Sequence, residues 1–312
     1  MIAHSTPGNP FQNPHLARTV SEMSTSEDHS PAGSDKRRFA ELAADLARRY
    51  SRLPSVTGFA IGGSFARGLL DEHSDLEAYC YHDGELPDKV AIQEILDDLN
   101  ANTVRSPDLH WRHISWGVHS FFQAHGITVE LGYRDINETA RKLDSYLFEG
   151  QFETTIGDHD VPFGHYPSGL AACLTDCQIL TDKSNAVANL KLQASQFPSI
   201  LREALLNFHL LEARGILENK LSTAHRRSDL LHFNAGLARA LRSIVIAVFT
   251  ANRRHFPGDK WNIEYLKDAT IIPRGFFQDC QELLDTRLTY RQERDRALEI
   301  IRSWADWIEA TQ

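Results

Sequence analysis

Apolar and polar positions along this chain fall into three regimes. From residue 1 to about 34, Pro, Ser, Thr, Asn and His dominate with almost no apolar periodicity, which predicts a disordered tail over 1–34. Order is expected from Asp35, because Phe39, Leu42, Leu46 and Tyr50 recur at helical spacing up to the break at Pro54. Short β-like runs then alternate with helices. Val56 to Ile61 reads as a strand ending in Gly62-Gly63, Asp75 to Tyr81 as a second strand, and Asp88 to Leu99 as a helix. Ile114 to Phe122 and Ile127 to Tyr133 read as two strands joined through Gln123-Ala124-His125-Gly126, followed by a helix over Ile136 to Phe148.

A Gly/Pro-rich passage (Gly157 to Gly169) and the apolar run Cys177 to Leu180 close this regime. Beyond residue 184 the periodicity is helical throughout, in segments near 185–196, 198–220, 227–255, 274–286 and 288–311. The pattern predicts an α+β chain. A mixed-sheet domain over 35–183 would be followed by an all-α helical-bundle domain over 184–312, with no internal repeat.

Composition narrows the function. A length of 312 residues is about two domains, and 42% hydrophobic with 24% charged residues is globular composition. The longest apolar stretches, such as Ser243 to Ala251, fall short of the ~20 residues a bilayer requires, so no membrane span is expected. The N-terminus has no charged-then-apolar signal pattern, which makes a cytoplasmic location the default expectation. A net charge of −9, from 33 Lys+Arg against 42 Asp+Glu, argues against a protein that lives on DNA or RNA. It still permits a small anionic substrate held by a few local cations. The four cysteines form no disulfide framework. Cys173 and Cys177 share a helix face without a partner pair at zinc spacing, and are expected to be buried thiols.

One segment stands above this background: Gly62-Gly63-Ser64-Phe65-Ala66-Arg67-Gly68, then Ser74-Asp75-Leu76-Glu77. Glycines allow close approach of an anion to the backbone, and a helix starting at this turn supplies N–H donors for it. Ser64 adds a hydroxyl, and Arg67, one turn on, a guanidinium suited to phosphate. Asp75 and Glu77, two apart on a strand, present both carboxylates to one face while Leu76 and Ala78 face the core. Adjacent acids repel, and a divalent cation carrying substrate phosphates relieves that repulsion; magnesium prefers such hard oxygen ligands. In the later strand, Ile127, Val129, Leu131 and Tyr133 alternate as a buried face, which leaves Glu130 on the opposite face as a third acid.

A Gly-Ser turn with a short helix, an Asp-x-Asp/Glu strand and a later strand acid together resemble the DNA polymerase β-like nucleotidyltransferase superfamily. Ser74-Asp75-Leu76-Glu77 and Val129-Glu130-Leu131 look most like its small bacterial members, the kanamycin and lincosamide nucleotidyltransferases. The resemblance covers residues 55 to 150 and implies the following roles. Asp75 and Glu77 bind magnesium, two ions per site being expected, and Glu130 is a further ligand or the base. Ser64 and the backbone at Gly63 hold the β- and γ-phosphates of a nucleoside triphosphate. A nucleotide, expected to be AMP from ATP, passes to a hydroxyl of a small molecule such as an antibiotic, and pyrophosphate leaves.

Weaker signals lie in the helical half. Asn252-Arg253-Arg254-His255 with Lys260 ends one long helix; basic residues suit a helix C-terminus, but Lys260, and less so Arg253 or Asn252, would also suit a triphosphate. Asp229 reads first as a helix cap and second as an alternative base. Trp111, His113, Trp116, His119 and His125 gather around the predicted hairpin, where packing is the default and stacking on an acceptor the alternative. Two rival functions remain at this level. One is a toxin–antitoxin-type nucleotidyltransferase acting on a protein or tRNA, against whose tRNA form the acidity counts; the other is a catalytically silent triphosphate-binding module.

Overall fold

The structure is a computed structural model and describes residues 31–105, 118–152, 166–258, 264–285 and 291–311. Its contacts resolve into two compact units. Of the described residues, one takes 31–105, 119–133 and 178–184; the other takes 118, 134–152, 166–177 and those from 185 onward. Packing is therefore interleaved along the sequence, whereas hydropathy suggested a cut at 183/184.

The first unit is a six-stranded sheet with three helices. In chain order these are α1 (Pro31–Tyr50), β1 (Val56–Ile61), α2 (Gly63–Arg67), β2 (Leu76–His82), α3 (Lys89–Asp98), β3 (Asn102–Arg105), β4 (Val118–Ala124), β5 (Ile127–Asp135) and β6 (Gln178–Asp182), the strands ordered β3-β4-β5-β2-β1-β6. β1 runs antiparallel to β2, with Ile61 opposite Ala78, and antiparallel to β6, with Ile61 opposite Gln178. The β4–β5 connection turns at His125 (φ 51°) and Gly126 (φ 73°), the two left-handed residues a tight two-residue hairpin needs.

Helix α1 covers one sheet face because its apolar stripe matches the predicted spacing: Phe39, Leu42, Leu46 and Tyr50 are all buried. Tyr50 packs on Phe59 of β1 (ring centroids 5.7 Å apart), and its hydroxyl lies 3.2 Å from that of Tyr133 on β5. Tyr133 in turn meets Ser120 of β4 at 3.1 Å, so a buried hydroxyl chain ties three elements of the sheet unit. Helix α3 starts at Asp88, whose carboxylate accepts from the N–H groups of Val90 and Ala91.

The second unit is helical: α4 (Ile136–Glu149), α5 (Tyr166–Asp176), α6 (Ala186–Ala194), α7 (Ser199–Gly215), a π-helical turn (Ile216–Leu221), α8 (Ser222–Arg227), α9 (Leu230–Ala251), α10 (Phe276–Asp285) and α11 (Arg291–Ala310). Helix α4 is capped by Asp135, which accepts from the Glu138 N–H at 2.7 Å, and it stops at Gly150 in the left-handed conformation. Helices α7 and α9 are joined by a network around the half-buried Glu212. Burial alone would raise this carboxyl, but bonds from Ser243 and Arg239 and the charge of Arg242 outweigh it and hold it low. Trp304 of α11 fills the core against Phe276, with centroids 4.9 Å apart.

Four expectations are refined. α1 begins at Pro31, earlier than Asp35. The segment expected as one helix over 198–220 passes through the π turn into α8 and ends at Ser228 (φ 55°), which separates it from α9. β3, α5 and β6 were not expected from the pattern. β3 and β6 are sheet edges, and β6 is half-buried at every position, so neither shows an alternating signal. Helix α9 is long and apolar enough to span a membrane by length and composition, which corrects the expectation built on Ser243 to Ala251 alone; 67% of its most apolar window is buried inside the protein, the pattern of a core helix.

Candidate active site

β1 delivers the chain to the end of the sheet where β2 begins. The Gly62 N–H donates to the Glu77 carbonyl at 2.9 Å, so the double glycine and the second acid share one rung. Gly63 has φ +59°, a left-handed conformation open mainly to glycine. A Cβ there would lie 2.6 Å from Glu77 Cδ and 2.7 Å and 3.0 Å from its carboxylate oxygens. The Glu77 carboxylate thus occupies the space a side chain would fill. At Gly62 a Cβ would meet the Tyr79 ring at 2.5 Å.

Helix α2 is a single turn whose N-cap, Gly62, has no side chain to satisfy the first-turn N–H groups. It ends at Gly68 in the left-handed conformation, and its buried Phe65 stacks on Phe39 of α1 at 5.8 Å, which fixes the turn to the sheet unit. Ser64 and Arg67 are half-buried on this turn. Asp75 precedes β2 directly. The approach is set by a tight loop in which Asp71 Oδ1 accepts from Ser74 Oγ at 2.8 Å and from the His73 N–H at 3.0 Å. These bonds, Ser74 foremost, hold the Asp71 carboxyl below its ordinary range.

Alternation along β2 buries Leu76, Ala78 and Cys80 and leaves Asp75 and Glu77 half-buried. The Tyr79 hydroxyl, on the Glu77 face, donates to Glu77 Oε2 at 3.1 Å. β5 is the next strand, and a Cβ at its Gly132 would lie 3.6 Å from Tyr79 Cδ1 and 3.0 Å from His119 Nε2. Gly132, and with it Glu130 two residues earlier, therefore shares the Tyr79 face. Glu130 keeps 38% of its side chain exposed, with His119 Nε2 3.8 Å from Oε1. Glu77 and Glu130 thus lie on one face of adjacent strands, with Asp75 directly before the first of them. Among the described residues, no three His, Cys, Asp or Glu side chains converge into a ready metal-ligating group.

Two residues here were not singled out as site residues by sequence reasoning. Tyr79 was legible in principle, since it follows Glu77 at period two. His119 was noted only within the aromatic cluster, and pairing of β4 with β5 puts it beside Glu130. Lys260, Trp111, His113 and Trp116 lie outside the described residues, as does the tail over 1–30.

In the helical unit, Asn252 spends its amide on backbone. It donates to the carbonyls of Val248 and Ile271 and accepts from the N–H groups of Thr270 and Ile271. Arg254 forms a bidentate pair with Asp268 at 2.7 Å and 3.1 Å, and Arg253 donates to the Phe197 carbonyl. Asp229 caps α9 through the His232 N–H, in keeping with its plain reading. Arg253, Arg254 and His255 line a cavity of about 290 Å³ with Thr175, Asp176 and Ser195.

His255 Nε2 lies 2.8 Å from the Ala194 carbonyl and so carries the proton, while Nδ1 faces the Tyr146 hydroxyl at 3.4 Å. Burial lowers its pKa, opposed by the carbonyls of Ala194 and Gln196 and by Asp176. A lowered folded-state value means the unfolded chain binds the proton more readily. The resulting stability is complete above the unfolded value near 6.5 and is lost as pH falls below it. Thermal unfolding followed between about pH 7.5 and 5.5 should therefore fall more for the wild type than for His255→Gln, which keeps a donor and does not titrate.

Comparison with known proteins adds the following. Residues 166–262 match a domain of unknown function, DUF4037; most of the cavity's lining residues fall within that span. No curated protein matches the chain. Among solved structures, it is similar to a nucleotidyltransferase-like protein from Exiguobacterium sibiricum, with a TM-score of 0.44 and 11% identity, over 84% of this chain and 74% of that one.

Proposed function

We propose that this chain is a magnesium-dependent nucleotidyltransferase that moves a nucleoside monophosphate, AMP from ATP in the first instance, onto a hydroxyl of a small molecule. The observation that carries this reading is the left-handed Gly63, whose missing side chain leaves room for the Glu77 carboxylate beside an uncapped helix turn. A cation held by that carboxylate would carry substrate phosphate to the N–H groups of the turn.

Asp75 and Glu77 would hold magnesium, expected as two ions, with Glu130 as a further ligand or the base, and the metal would supply charge neutralisation of the triphosphate. The N–H groups after Gly62 and the Ser64 hydroxyl hold the β- and γ-phosphates, with Arg67 as a cationic contact; the further cation expected at Lys260 lies outside the described residues. The acceptor oxygen forms the new bond to the α-phosphorus, the bond to the β-phosphate oxygen breaks, and the acceptor proton passes to Glu130. Positioning and charge placement supply most of the rate. The kanamycin-type resemblance favours an antibiotic as acceptor and a cytoplasmic setting, where triphosphates are plentiful.

The test is transfer of label from α-labelled nucleoside triphosphates, with magnesium, to aminoglycosides, lincosamides, tRNA and cell extract. Label on a small molecule supports the reading, and label on tRNA or protein moves it to the toxin–antitoxin form. Transfer that persists in Asp75→Ala removes the metal assignment. Tight triphosphate binding without transfer to any acceptor indicates the silent module.

A further inference from the structure

Tyr79 touches the glycine turn, Glu77 and the strand that bears Glu130. Its ring lies under Gly62, where a Cβ would come within 2.5 Å of Cε2 and 2.9 Å of the hydroxyl oxygen. The same ring reaches β5, 3.6 Å from the Cβ position at Gly132. Its hydroxyl donates to Glu77 Oε2 at 3.1 Å, and the residue is 6% exposed. One rigid side chain therefore sets the height of the glycine turn over the sheet, the spacing to the strand bearing Glu130, and the rotamer of Glu77. The ring explains glycine at Gly62, where a side chain would displace it, whereas at Gly132 a Cβ would only touch the ring and would instead press on His119 at 3.0 Å.

We propose that Tyr79 is a positioning residue: it orients the Glu77 carboxylate toward the metal-triphosphate and locks the glycine turn to that carboxylate. This rests on the nucleotidyltransferase reading of the site. A carboxylate with one oxygen held by a phenol presents its other oxygen to a cation in a defined direction. A freely rotating Glu77 would lose entropy on every binding event. Loss of such a supporting hydrogen bond typically weakens a metal site by about 10- to 100-fold.

The experiment measures Mn²⁺ affinity by electron paramagnetic resonance, with adenosine α,β-methylene triphosphate held saturating, so that no turnover is needed. Tyr79→Phe keeps the ring and removes only the hydroxyl. It should weaken Mn²⁺ binding about 10-fold while the unfolding transition is retained. Gly62→Ala, which displaces the ring and leaves the hydroxyl intact, should give a loss of the same kind. In Tyr79→Phe/Glu77→Gln the two losses should fall short of their sum, because the hydroxyl acts on Mn²⁺ only through the carboxylate that Glu77→Gln removes. Equal Mn²⁺ affinity in wild type and Tyr79→Phe, or fully additive losses, overturns the positioning role alone. Absence of Mn²⁺ binding in the wild type overturns the site reading and this inference with it.

Discussion

Glu77→Gln is expected to lower kcat for pyrophosphate release by roughly 10³-fold, the scale on which preorganised charge is lost from a reaction site. The substitution keeps side-chain shape, and the remaining oxygen still accepts from the Tyr79 hydroxyl, which now lies 3.1 Å from Glu77 Oε2. Folding should be little changed, because Glu77 is only half-buried and glutamine keeps its shape. A coupled pyrophosphate assay beside a circular-dichroism melt separates the two effects. Activity within about tenfold of wild type would take Glu77 out of the chemistry, since a lost charge at the metal costs far more than that.

Gly63→Ala should damage the protein in two separable ways. The left-handed φ of +59° costs an L-residue about 1–2 kcal/mol. Independently, the new Cβ would sit 2.6 Å from Glu77 Cδ, so the carboxylate must swing away from its place at the turn. Gly68 supplies the control, with φ +75° and nothing within 4 Å of its Cβ position. Gly63→Ala and Gly68→Ala should thus lose similar stability in thermal unfolding, while only Gly63→Ala loses triphosphate turnover by about two orders of magnitude. Matched activity losses would show that strain in the turn, and not displacement of Glu77, is what matters.

The same residues separate what was legible from what was not. The turn, the two acids and Glu130 could be read from one dimension, because glycine pairs and period-two alternation are local consequences of backbone geometry. His119 could not be placed beside Glu130 until β4 and β5 were paired. Asn252 and Arg253 also read as polar groups suited to a phosphate, and in the fold Asn252 is engaged with four backbone groups and Arg253 donates to the Phe197 carbonyl. A polar side chain's partners lie far along the chain, so its availability is a property of packing.

Sequence alone therefore determined the class of the protein: an α+β sheet region, a long helical region, and a Gly-Gly-Ser turn ahead of paired acids. Each follows from spacing within about a dozen residues, where local sterics and burial dominate. Tertiary structure decided three further matters. It put β6 on the edge beside β1, and it grouped α4 and α5 with the helical unit although they precede β6 in the chain. It also brought Tyr79 beneath Gly62 and beside Gly132 as the support of the candidate site. Those arrangements depend on strand neighbours and ring contacts between segments far apart in sequence, for which no local pattern carries a signal.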